Sequence, residues 1–167
     1  MKKILLLSMA LLCMASITVT AQQPSTVTVK KFTFTWQVKG DSLTCSLTSP
    51  TGGWVACGFK PTKKMKDANI IIGNIKDGKA TVVDHFGIGA VEHKADTAIG
   101  GTSDLTAASC TEKDGKTTLS FTIPLNSKDK MDVTMTKGET IKVIFAAGKS
   151  DRMTTKHSKR TSTKITL

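Results

Sequence analysis

"KFTFTWQV", residues 31–38, places Phe32, Phe34, Trp36 and Val38 at every second position, with polar residues between them. Successive side chains of an extended strand point to opposite faces, so this period of two buries one face and wets the other. The pattern recurs along the chain: Leu43, Cys45 and Leu47 in "SLTCSL", then Val55, Cys57 and Phe59 in "WVACGF". It returns as Leu119, Phe121 and Ile123 in "TTLSFTI", and as Ile141, Val143 and Phe145 in "TIKVIF". Many short alternating runs without long helical periodicity predict an all-β fold, an immunoglobulin-like antiparallel β-sandwich.

The turns agree. "KDGK" occurs at 76–79 and again at 113–116, each time between strand-like runs. Asp-Gly favours a two-residue hairpin because the primed turns that match strand twist need positive φ. "SPTGG" (49–53) reads as a further hairpin turn, and "GIGAVEHKADTAIGG" (87–101) as a glycine-rich crossover. The Gly-x-Gly within that crossover lacks a strand–turn–helix context, so no nucleotide site is expected there.

At the N-terminus, Lys2 and Lys3 precede the apolar "ILLLSMALLCMASITV", and "TVTA" precedes Gln22. This reads as a signal peptide over 1–21, with export to the periplasm or the extracellular space. The apolar stretch is short for a membrane span and no second one follows, so no transmembrane segment is expected in the mature chain. Leu12 before Cys13 is not the small residue that lipidation requires. Residues 22–167 are then one domain, long enough to bury its own core.

The chain carries 24 basic residues against 13 acidic ones. The lysines are scattered through turns and strand ends, and no aromatic–basic interleaving is present, so nucleic acid is not an expected partner. After processing, Cys45, Cys57 and Cys110 remain, without CxxC or CxxCH spacing. A hairpin centred on Thr51 sets Cys45 opposite Cys57 and Leu43 opposite Phe59, leaving a cross-strand disulfide and a pair of buried thiols both open. The Asp114-Gly115 turn sets Cys110 opposite Leu119, packed in the core.

Hydrolytic catalysis has little support. Histidines number three, and neither a Gly-x-Ser-x-Gly elbow nor HExxH occurs. Asp84-His85 ends a strand and reads as a solvent-facing terminus or a buried polar pair, and His93 in "VEHKAD" as an exposed loop residue. His157 lies in "GKSDRMTTKHSKRTS" (148–162), a basic loop that also holds Met153. Met65 stands in "GFKPTKKMKDANIII" (58–72), among lysines. A thioether and an imidazole together form a known axial pair for haem iron.

"GGWVACGFKPTKKMKDANIIIGNIKDGKATVVDHF" (52–86) resembles the central signature of DOMON domains, the β-sandwich family related to the cytochrome domain of cellobiose dehydrogenase. The matching positions are Gly53, Trp54, Ala56, Gly58, Phe59, Met65, Asp67, the isoleucines at 70–72, Gly73 and Asp84. "DGKTTLSFTIPL" and "IKVIFAAGKSD", the latter followed by a histidine, resemble the family's later blocks. In haem-binding members, the methionine of the first motif and the histidine of the last ligate a b-type haem. Carried over, these are Met65 and His157. Met153, four residues before His157, is the competing sulfur, but it would reach iron from the same segment as the histidine. Lys66 follows the methionine where a small residue is common, and Thr155-Lys156 replace the usual aromatic before the histidine.

The resemblance implies an exported b-type cytochrome domain, with haem b at one end of the sandwich, passing single electrons and performing no catalysis of its own. Its donor and acceptor would be separate redox proteins, and its basic surface suits an acidic one. The alternative is a haem-free sandwich binding carbohydrate or another small ligand, which an exposed Trp36 or Trp54 would favour.

Overall fold

The computed structural model describes residues 23–167; the expected signal peptide lies outside the described residues. Among these, eleven strands are present: β1 (Ser25–Val29), β2 (Phe32–Lys39), β3 (Ser42–Ser49), β4 (Val55–Phe59), β5 (Asn69–Lys76) and β6 (Lys79–Gly89), followed by β7 (Glu92–Ala95), β8 (Thr106–Lys113), β9 (Lys116–Pro124), β10 (Thr140–Ala147) and β11 (Lys159–Thr166). They form two antiparallel sheets, one ordered β1-β2-β3-β9-β8 and the other β11-β10-β4-β5-β6-β7. The expected β-sandwich is what the chain forms. Among the described residues no helix is long and apolar enough to cross a membrane.

The alternating residues meet between the sheets. Phe32, Phe34, Leu43, Leu47, Phe121 and Ile123 from one sheet face Val55, Phe59, Ile71, Val143 and Phe145 from the other, each at most 1% exposed. Phe34 and Phe145 lie with ring centroids 5.1 Å apart, and Phe59 meets Phe121 edge-on at 6.1 Å. Each such aromatic stabilises the fold by roughly 1.5–3 kcal/mol through burial alone. Trp36 points inward as well, and its Nε1 donates to the Thr166 carbonyl at 2.9 Å.

Both Asp-Gly turns form as the sequence predicts. Asp77 and Gly78, like Asp114 and Gly115, have positive φ, closing Lys76↔Lys79 and Lys113↔Lys116. Cys110 stands opposite Leu119 and is buried.

The 49–53 segment is not a hairpin. β3 and β4 belong to different sheets, so this link crosses between them. It is tied to the rim of the sandwich instead: the Thr51 hydroxyl donates to the Gly148 carbonyl at 2.6 Å, and the Thr117 hydroxyl reaches the carbonyls of Thr51 and Gly53. Cys45 therefore pairs in register with Trp36 and Phe121, and Cys57 with Ile71 and Phe145. Leu43 and Phe59 are likewise on separate sheets. The two cysteines face one core from opposite sides as free, buried thiols, and burial pushes both well above the usual thiol range.

The 87–101 crossover is also more regular than expected. β6 runs through Gly87 to Gly89, with an irregularity in the β6–β7 register, and β7 pairs back onto it. His93 is consequently half-buried rather than exposed, with its Nδ1 2.8 Å from Nδ1 of His85. Asp84 is buried at 4% exposure and is no partner of His85, because adjacent strand residues point to opposite faces.

Candidate functional site

β4 and β5 do not follow simple alternation. Every residue of "VACGF" is buried, as are Asn69 to Asn74 of β5. Unbroken burial means that both faces of these central strands are covered. Their inner face belongs to the sandwich core. Their outer face carries a second apolar cluster of Trp54, Ala56, Ala68, Ile70 and Ile72, with Met65, Val83, Ala146 and Met153 packed against it. Cross-strand register explains the set: Ala146, Ala56, Ile72 and Val83 are successive partners across β10, β4, β5 and β6.

Two loops cover this face. The loop after β4 carries Met65 and is held by its own backbone: Thr62 N–H donates to the Lys66 carbonyl at 2.9 Å, and Ala68 N–H to the Met65 carbonyl at 3.1 Å. Lys60, Lys64 and Asp67 adopt positive φ within it, a conformation uncommon for residues other than glycine. It is fastened to the neighbouring strand through Asp67 N–H to the Gly87 carbonyl at 2.7 Å and Gly87 N–H to the Ala68 carbonyl at 2.9 Å.

The loop after β10 carries Met153 and His157. Its foot rests on Trp54, which is 4% exposed: Gly148 N–H donates to the Trp54 carbonyl at 2.8 Å, and Trp54 N–H to the Ser150 carbonyl at 3.2 Å. The indole Nε1 donates to the Thr155 hydroxyl at 3.3 Å, and Thr155 in turn donates to the Arg152 carbonyl at 2.7 Å. Asn74 Nδ2 on β5 donates to the Asp151 carbonyl. Ser158 N–H closes the loop on the Ala147 carbonyl at 2.8 Å, leaving the preceding His157 half-buried.

These loops leave opposite ends of the sheet. β4 and β10 are antiparallel, with Phe59 opposite Val143 and Val55 opposite Ala147, so the chain after Phe59 and the chain after Ala147 start from opposite ends of the paired strands. Met65 and Met153 nonetheless pack on the same outer cluster. Met65 and the His157 segment thus approach one apolar face from opposing directions. Met153 approaches from the histidine's side. Both loops therefore lie over the outer face of the six-stranded sheet.

The chemistry of this donor set, a thioether packed on aliphatic residues and a half-buried imidazole on the opposing loop, fits an iron porphyrin. Lys63, Lys64, Lys66, Arg152 and Lys156 are exposed on the same two loops and offer cations for carboxylate groups at its edge. His85 also belongs to this face, opposite Ile70. Burial, and then the charge of His93, lowers its pKa to about 4. Neither indole is laid open as a stacking platform: Trp54 lies under Thr155, and Trp36 is half-buried and turned toward the core.

Sequence reading missed the outer cluster. The signal was present in "ANIIIG", where three consecutive isoleucines cannot all face one side of a strand. Ile71 enters the core, while Ile70 and Ile72 build the second face.

The comparisons with known proteins agree with this architecture. The family model described as DOMON domain matches residues 28–148, a span that includes Met65 and ends before His157. DBH-like monooxygenase protein 1 of Homo sapiens is 29% identical over 116 residues, and its counterpart in Mus musculus 28%. Each match covers 70% of this chain but 18% of the relative, so the chain spans less than a fifth of those proteins. Among solved structures, the chain resembles the cytochrome b domain of pyranose dehydrogenase from Coprinopsis cinerea. That match has a TM-score of 0.59 and 10% identity, and covers 81% of this chain and 76% of that one. The cytochrome domain of Myriococcum thermophilum cellobiose dehydrogenase gives a TM-score of 0.58 at 12% identity, covering 86% and 88%. At such identities the likeness shows the fold.

Proposed function

Because the chain belongs to the DOMON domain family, we propose that it is an exported b-type cytochrome domain that binds one non-covalent haem through Met65 and His157 and passes single electrons. The observation that carries this reading is the opposed approach of the Met65 loop and the His157 loop to one apolar face.

Bound haem would supply a one-electron couple, and a methionine ligand raises its potential relative to a second histidine. The protein's part is to hold and shield. Ile70, Ile72, Ala56 and Ala146 exclude water from the face, and Trp54 with Thr155 fixes the foot of the histidine loop. The Gly87 contacts fix the methionine loop. The lysines around Met65 and the basic residues around His157 face solvent and suit the docking of a separate, acidic redox protein. Such an encounter would weaken as salt rises.

On this reading the domain does no chemistry on a substrate of its own and works in the periplasm or outside the cell, after removal of residues 1–21. The haem-free carbohydrate reading is less favoured, since Trp54 is covered and Trp36 turned inward. The test is to produce the mature chain with haem supplied and record oxidised and reduced visible spectra. A Soret band with low-spin α and β bands on reduction supports the cytochrome. Lack of any haem band, with saturable binding of a sugar instead, would sink it.

A further inference from the structure

We propose that Asp84, Asp96 and Asp132 form a calcium site that pins the 96–105 and 126–133 segments against β5 and β6. One oxygen from each carboxylate lies within 4.8 Å of the others. Asp84 projects from β6 opposite Ile71, Asp96 opens the turn after β7, and Asp132 comes from the connection between β9 and β10. Three distant stretches of chain therefore converge on one point.

These acids lack cationic partners in a strongly basic chain. Among the described residues the ion pairs join Lys60 to Glu139 and Lys94 to Glu92, both elsewhere. Asp96 is wholly buried, and neither of its carboxylate oxygens has a hydrogen-bond partner. Asp84 accepts from the Asp104 N–H at 3.2 Å through Oδ2, while its Oδ1 is unpartnered.

A neutral residue points the same way. Asn69, 3% exposed, donates through Nδ2 to Asp132, and its own carbonyl oxygen, also buried, has no partner. A buried polar atom left without a partner is costly, and an unpaired buried carboxylate more so. Burial first, then the neighbouring carboxylates, raises Asp84 to about 7 and Asp96 to about 8. One bound dication would answer the three converging carboxylates at once.

Donor chemistry selects the ion. The three donors are all carboxylate oxygens, which suits a hard cation over zinc or copper. Ligands drawn from separate loops give the irregular, many-oxygen cage that calcium accepts, whereas magnesium demands near-ideal octahedral geometry. The site involves the inward-facing Asp84, and so it stands apart from the haem reading.

The test uses the mature protein stripped with a chelator, followed by calorimetric titration and thermal unfolding with calcium or magnesium, for wild type, Asp96→Asn and the exposed control Glu92→Gln. Calcium should bind at one site and raise the melting temperature of wild type and Glu92→Gln. At a hundred times its dissociation constant it should shift the folded-to-unfolded ratio about 100-fold. Asp96→Asn should abolish that response and, in chelator, be at least as stable as wild type, since it removes a buried carboxyl that ionises only at a cost. Asp132→Asn carries the same test should Asp96→Asn fail to accumulate folded. No calcium response in wild type, an equal response in Asp96→Asn, or a stronger response to magnesium would overturn the proposal.

Discussion

The backbone carbonyl of Met65 rests on the α-carbon of Gly87 so closely that a β-carbon there would lie 1.7 Å from the Met65 oxygen. Side-chain freedom cannot relieve that clash, because the colliding atom is main chain. The loop carrying the candidate sulfur ligand is thus seated on β6 by a missing side chain. Gly87→Ala should push the loop outward, costing about 1–3 kcal/mol of stability and weakening haem binding. Denaturant unfolding together with haem titration of the apoprotein checks this; wild-type haem affinity in Gly87→Ala would contradict it.

The histidine loop hangs on a different contact. Thr155 accepts from the Trp54 indole, which is otherwise enclosed. Thr155→Val keeps the shape and strands the indole N–H, for an expected loss of about 1–3 kcal/mol, whereas Thr155→Ser should recover most of it. Equal stabilities of the valine and serine variants in urea would remove Thr155 from the account.

His85 and His93 make the fold sensitive to acid. Burial holds both imidazoles below their ordinary value, His85 to about 4. Between about pH 6.5 and pH 4 the unfolded chain takes up protons that folded His85 refuses, so this pair contributes stability that is lost as pH falls through that window. The raised carboxyls of Asp84 and Asp96 act in the opposite sense. The comparison must therefore be between proteins, in chelator. His85→Gln/His93→Gln should lose less stability than wild type on going from pH 6.5 to 4.5, and parallel pH profiles would refute the assignment.

Cys45, Cys57 and Cys110 are buried and free. A thiol reagent should modify three cysteines of the mature chain on unfolding and almost none in the native state, and reductant should leave the melting temperature unchanged. A count of one reactive thiol in the unfolded, unreduced protein would reveal a bridge and contradict the structure.

The fold was legible because alternation is a local signal: Phe32 to Val38 declares its buried face without knowing its partner strand. What was misread depends on partners. Whether "SPTGG" turns a strand back or hands it to the opposite sheet is decided by Thr117 and Gly148, far along the chain. Cys45 and Cys57 moved to separate sheets with it. Met65 and His157 could be named by family resemblance, but that their loops start from opposite ends of the paired strands follows from the β4–β10 register, which the sequence does not display. The acids of the proposed calcium site are spread from Asp84 to Asp132 with no shared motif, and only the folded chain gathers them.

The ligand assignment is tested most directly by the reduction potential of Met65→His beside that of Met153→His. Replacing an axial thioether by imidazole lowers the potential of a low-spin haem. The account predicts a low-spin spectrum with a clearly lowered potential for Met65→His and a wild-type potential for Met153→His. An unchanged potential in Met65→His, or a fall confined to Met153→His, would contradict it.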